Sequence, residues 1–240
     1  MLALPTRRDE AFRYSDIDAL SRLWPVIPES IVVPAGGNFA RAIVQDVGTV
    51  HQIDMSLGKG ATAALHVLSI GGDYGRIALN VTLHEGADFT LGAVQIGGGS
   101  QTLEIVTTVT HAEPGATSSQ TVRSVLAGKA TGTYLGKVAV ARDAQKTDSE
   151  QSVKAMLLDR TATANAKPEL EIYADDVKCA HGCAIGELDP MALFYLQARG
   201  IAPGDAKKLM LQAFVAGVFD GAADEERLKG MALAKLGELV

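Results

Sequence analysis

Cys179, His181 and Cys183 fall within one short run, Asp175-Asp176-Val177-Lys178-Cys179-Ala180-His181-Gly182-Cys183. Thiolate and imidazole are soft and borderline donors that suit zinc, iron and iron–sulfur clusters. Residues two apart in an extended strand share a face. Cys179 and His181 therefore point the same way, and Cys183 joins them if Gly182 does not break the strand. Three donors fall short of the four that close a structural zinc site. A complete site needs a donor from elsewhere in the chain or from a partner. The competing reading is a pair of buried, inert thiols near the end of a β-body.

Other chemistry is largely excluded. Gly58-Lys59-Gly60 and Gly128-Lys129-Ala130 lack the hydroxyl that a phosphate-cradling loop places after its lysine. His84-Glu85 has no second histidine to make a zinc-protease helix, and no Gly-x-Ser-x-Gly elbow occurs. An ATPase, a dinucleotide oxidoreductase and a standard hydrolase are disfavoured. His51, His66, His84 and His111 read as turn or core histidines rather than ligands.

The elements that must position the Cys–His run divide the chain of 240 residues into three parts. Residues 1–30 read as a short helical segment, with Phe12, Ile17, Leu20, Leu23 and Trp24 near helical spacing and Pro25 and Pro28 ending it. Residues 31–188 form the β-body. Short β-rich runs such as Leu103, Ile105, Thr107 and Val109 alternate in and out, and glycine-rich turns such as Gly97-Gly98-Gly99 separate them. No long amphipathic helix intervenes, which argues against a βαβ sheet and leaves a sandwich, a barrel or a solenoid. As a solenoid, the body makes about six or seven coils at the short end of known repeats.

Residues 189–240 read as three helices. Asp189 caps the first, with Pro190 at its first position. The second carries an apolar face of Ala206, Leu209, Met210, Ala213, Phe214, Gly217 and Val218. The third carries Leu228, Met231, Ala232, Leu236 and Leu239. Such helices would cap the end of the β-body and protect its last edge.

Composition sets the class. Hydrophobic residues make up 47% and charged residues 21%, enough apolar content for a buried core. A net charge of −6 argues against nucleic acid as a partner. No apolar run approaches the roughly 20 residues of a membrane span, and Met1 to Glu10 carry no secretory pattern. A cytoplasmic protein with reduced thiols is expected.

The stretch from Leu170-Glu171-Ile172-Tyr173 through Cys179-Ala180-His181-Gly182, then Phe194-Tyr195-Leu196 before Arg199-Gly200-Ile201, resembles the SufB/SufD family of iron–sulfur cluster assembly proteins. His111-Ala112-Glu113-Pro114-Gly115 resembles a core turn of that family. Arg13-Tyr14-Ser15-Asp16 resembles its entry motif, with Phe12 in place of the usual tryptophan. Gly182 stands where SufB-like chains carry glutamate, so the SufD branch fits better, and Cys183 replaces the family's usual alanine.

The resemblance implies a right-handed parallel β-helix with helical flanks. It implies a non-enzymatic scaffold subunit that pairs with SufB and docks the SufC ATPase, with a homodimer possible when it is alone. It places His181, and less firmly Cys179, at a transient Fe–S cluster shared with SufB, with no cofactor held tightly by the isolated chain. The SufC side would include Phe194, Tyr195, Leu196, Arg199 and Phe214. Two alternatives are a purely architectural subunit that never touches iron and a β-helix carbohydrate-active enzyme; few aromatics are available to stack sugars.

Overall fold

The computed structural model describes residues 3–240. The alternation read from the sequence becomes twelve strands. They are β1 Glu29–Val33, β2 Asn38–Gln45, β3 Val50–Leu57, β4 Thr62–Ser69, β5 Tyr74–Leu83 and β6 Asp88–Gly97. They continue as β7 Thr102–His111, β8 Thr117–Leu126, β9 Thr131–Val140, β10 Asp148–Leu157, β11 Thr163–Ile172 and β12 Lys178–Gly186. Odd-numbered strands form one six-stranded sheet and even-numbered strands the other, each in sequence order and parallel throughout. The result is a solenoid-like β-helix of about five full turns carrying six strands in each sheet, close to the lower end of the expected count.

The core lies between the two sheets. Leu103, Ile105, Thr107 and Val109 are all buried, as their alternation requires. Leu65, Ile77, Leu79, Phe89 and Leu91 stack along the axis in one continuous cluster. At one corner the chain turns through a positive φ at Gly36, Gly60, Gly86 and Gly115. Only glycine adopts this conformation at low cost. The next coil uses Lys146, at φ 65°.

Helices α2 Pro190–Ala198, α3 Pro203–Val215 and α4 Glu225–Gly237 follow. Asp189 caps α2 as expected, accepting from the Met191 N–H at 2.8 Å. The helices do not cap the end of the solenoid. Leu68, Val94, Ile96 and Val125 project from the outer face of the even-strand sheet, and Leu211, Val215, Leu228, Ala232 and Leu236 cover them. That apolar flank, at roughly 1.5–3 kcal/mol per large side chain buried, outcompetes the strand edge as a docking surface. The expected face of α3 also shifts: Ala206, Leu211 and Val215 are buried, whereas Leu209 and Ala213 are exposed. The face of α4 is as expected, with Leu228, Ala232 and Leu236 buried.

The N-terminal segment contains a 3-10 turn, Glu10–Phe12, and a five-residue helix α1, Ile17–Ser21. The segment straps across the outer face of the odd-strand sheet. Beneath it Arg76 and Glu104 form a buried ion pair at 2.5 Å. Ser15 Oγ donates to Glu104 at 2.8 Å, Arg76 donates to the Ala11 carbonyl at 2.8 Å, and the Phe12 ring lies 4.1 Å from the guanidinium. Among the described residues, no helix is long and apolar enough to cross a membrane.

Candidate functional site at the open end of the solenoid

β11 and β12 are the last strands of their sheets, and each has a neighbour on one side only. β12 is bare, with residues 180–187 exposed without interruption, whereas β11 is half-buried and its Lys167 pairs with Glu10 of the N-terminal segment at 2.6 Å. Such bare edges carry unpaired backbone donors and acceptors, which makes them sites for another chain to pair.

Cys179, His181 and Cys183 lie on this last coil. In the β10–β12 register they pair with Ser149, Gln151 and Val153, all of which are buried. The three residues therefore occupy the inward-facing row, as their spacing predicts, and Gly182 does not interrupt the strand. The row faces inward at a coil that has no further coil behind it, so its side chains open to the solenoid mouth. Cys179 packs against the small cluster of Val138, Val140, Ala144 and Ala174, with Leu170 beside it. Burial, then the nearby Asp148 carboxylate, pushes its thiol above the ordinary range, opposed by a backbone hydrogen bond from Ser149. Cys183 is raised by burial. Both thiols are protonated at neutral pH, and a metal must displace their protons.

Among the described residues, no group of three or more His, Cys, Asp or Glu side chains converges to hold a metal ion. The row alone supplies fewer donors than the four of a closed structural site.

Sequence reasoning missed what stands behind this row. Reading inward from His181, the same column carries Gln151 and Gln120, then Leu91 and Leu65. From Cys179 it carries Ser149 and Ser118, then Phe89. The interior thus turns from apolar to polar in the last coils. Ser118 bridges Ser149 and His111 at 2.9 Å each, and Tyr134 Oη lies 3.1 Å from Thr107 and 3.2 Å from Gln120. Gln120 Nε2 and Gln151 Oε1 are buried without a partner. The only signal in the sequence was polar residues at strand positions that should face in.

It also missed the clamp that sets β12 in place. The Asp176 N–H donates to Gln145 Oε1 at 2.9 Å, the Lys146 N–H donates to the Asp176 carbonyl at 2.7 Å, and the Lys146 ammonium pairs with the Asp176 carboxylate. Lys146, Thr147, Asp148, Asp176, Val177 and Lys178 line a cavity of about 270 Å³ beside the start of the strand.

On the helical flank, Phe194 and Tyr195 are 64% and 57% exposed, and Arg199 lies over the Tyr195 ring at 4.9 Å. Met191 on α2 and Leu209 on α3 are also exposed apolar side chains. Leu196 is half-buried, and Phe214 packs into the cluster under the helices, so of the five expected docking residues Phe214 belongs mainly to the packing.

Residues 31–214 match the family model for the SUF system FeS cluster assembly SufBD core domain. The iron–sulfur cluster assembly protein SufD of Escherichia coli K12 is 32% identical over 186 residues, covering 77% of this chain and 44% of that protein. An iron–sulfur cluster assembly SufBD family protein of Synechocystis is 33% identical over 164 residues, covering 68% of this chain and 36% of that protein. SufD of Bacillus subtilis 168 is 30% identical over 125 residues, covering 52% and 29%. The chain spans less than half the length of these relatives.

Proposed function

The chain belongs to the SufB/SufD family, in its SufD-like branch, and from that premise we propose that it is a scaffold subunit on which iron–sulfur clusters are built as cargo. The observation that carries this reading is the uncovered last coil, where Cys179 and His181 share one inward row at a bare strand edge. A SufB-like partner pairs with that edge and contributes the missing donors. His181 is the principal donor from this chain, with Cys179 second. A SufC-like ATPase docks on the helical flank through Phe194, Tyr195, Leu196 and Arg199. The chain itself performs no catalysis in assembly, and it works in the cytoplasm.

Anaerobic reconstitution with SufB-like and SufC-like partners tests the proposal. Cluster absorption should appear on the assembled complex and be lost with His181→Ala, while the complex still forms. Unchanged cluster build-up in the variant would remove His181 from the site. A chain that binds neither partner would remove the scaffold role. The incomplete donor set also favours a second reading, an architectural subunit without cluster contact. Retained complex and retained cluster with both His181→Ala and Cys179→Ala would establish it.

A further inference from the structure

Far from the open end, three successive coils bring together a serine, a histidine and a glutamate. Ser56 lies on the outer face of β3, His84 follows β5 by one residue, and Glu113 sits in the turn after β7. Ser56 Oγ is 3.4 Å from His84 Nε2. His84 Nδ1 is 3.1 Å from Glu113 Oε1, and the other Glu113 oxygen accepts the Glu85 N–H at 2.9 Å. The atoms are ordered as nucleophilic acyl transfer needs them: hydroxyl to Nε2, Nδ1 to a carboxylate, and the carboxylate fixed by a backbone amide. Serine–base contacts are often this loose before a substrate binds. The backbone holds the frame, since the His84 N–H donates to the Leu57 carbonyl at 3.1 Å. The Glu85 N–H first, then His84, keeps the Glu113 carboxyl below its usual range, so it is an anion at neutral pH.

A groove opens beside the hydroxyl. Ser30, Val32, Asp54, Ser56, Asn80 and Thr82 line a cavity of about 300 Å³. Its size suits a short acyl chain. Val32, at 73% exposure, gives the groove an apolar wall, and on the polar side Asn80 Nδ2 donates to Asp54 Oδ1 at 2.7 Å.

We propose that Ser56, His84 and Glu113 form a second, independent site that hydrolyses short-chain carboxylic esters. Ser56 Oγ attacks the ester carbonyl as its proton passes to His84 Nε2. The carbon–oxygen bond to the alcohol breaks, and the alcohol leaves with that proton. Water then attacks the acyl-serine, giving a proton to His84 Nε2. Ser56 departs from the carboxylic acid and regains the proton. Glu113 is a positioning residue, holding His84 in the tautomer that presents Nε2 to Ser56.

The test treats the whole chain with a fluorophosphonate probe, mapped by mass spectrometry, and with p-nitrophenyl acetate. The exposed Ser119 serves as an internal reference. Ser56 should be phosphonylated well ahead of Ser119. His84→Asn should slow that labelling by about 100-fold or more, the scale of a general base. Glu113→Gln should lower kcat by at least about tenfold with KM unchanged, as loss of an orienting carboxylate does. Ser56→Ala should abolish ester turnover above the buffer rate. Labelling of Ser56 no faster than Ser119, or equal labelling in the folded His84→Asn chain, would overturn the proposal.

Discussion

His181 lies directly outside Gln151 in the register of β10 and β12, and the Gln151 amide oxygen is buried without a partner. An exposed imidazole at the rim of the solenoid is thus backed by a buried amide with unused hydrogen-bonding capacity. Positions in this one column answer to different physics. The outer one is free to meet a partner, and the inner ones must satisfy each other.

That contrast predicts opposite sensitivities. His181→Ala should leave thermal stability within about 0.5 kcal/mol of wild type, since the residue is exposed. Gln120→Ala should cost more, about 1–3 kcal/mol, because it opens space and takes an acceptor from both Thr107 and Tyr134. Urea unfolding of the isolated chain measures both. A larger loss in His181→Ala would mean that the rim histidine is part of the core.

Glu104→Ala should be among the most damaging single changes. It leaves the Arg76 guanidinium buried without its counter-charge, at a cost of about 3–5 kcal/mol. It also takes the acceptor of Ser15 Oγ and loosens the N-terminal strap. Thermal denaturation should register the loss, and limited proteolysis should show faster cleavage before residue 29. An Arg76→Met, Glu104→Leu double variant should recover most of the stability.

Lys146→Gly should stabilise the chain. A side chain at φ 65° costs about 1–2 kcal/mol. The exposed pair with Asp176 returns at most about 1 kcal/mol, and glycine gives back part of the gain through unfolded-chain entropy. The net expectation is a rise of up to about 1 kcal/mol in the unfolding free energy. If Lys146 is retained to hold the turn before Cys179, the same variant should build less cluster in the complex despite its higher stability.

His111 should make stability fall in acid. Burial pushes its pKa from the ordinary 6.5 down to about 4, against a ring hydrogen bond to the Ala116 backbone that works the other way. Below pH 6.5 the unfolded chain takes up a proton that the folded chain refuses. Stability is therefore full above that pH and declines until about pH 4, by about 3 kcal/mol in total. His66, lowered by burial in the same direction, adds to the trend. Unfolding free energy measured from pH 7.5 to 4.5 should show the slope, and His111→Gln should flatten most of it.

Much of this was legible in the residues. The period-two alternation is a local property, because the pleat alone decides which side chains turn inward. The pairing of Cys179 with His181 on one face follows from that rule, as does the cap at Asp189. The family motif in residues 170–201 carried the β-helix, which alternation alone could not separate from a sandwich or a barrel. The helical faces were only partly legible. α3 is apolar on more than one side, and nothing local says whether Leu209 or Leu211 will find the sheet.

The sequence alone determined which residues could be strands and which donors share a face. Only the folded chain decided where that face ends up. Position along a solenoid depends on the summed length of every preceding coil, and the corner glycines at 36, 60, 86 and 115 are unevenly spaced. Small differences in loop length therefore choose which residues meet across coils. They bring Gln151 beside His181, and Ser56, His84 and Glu113 into one line. The apolar outer flank of the even-strand sheet drew the helices away from the last strand, because hydrophobic burial is stronger than the protection of an edge that a partner can supply.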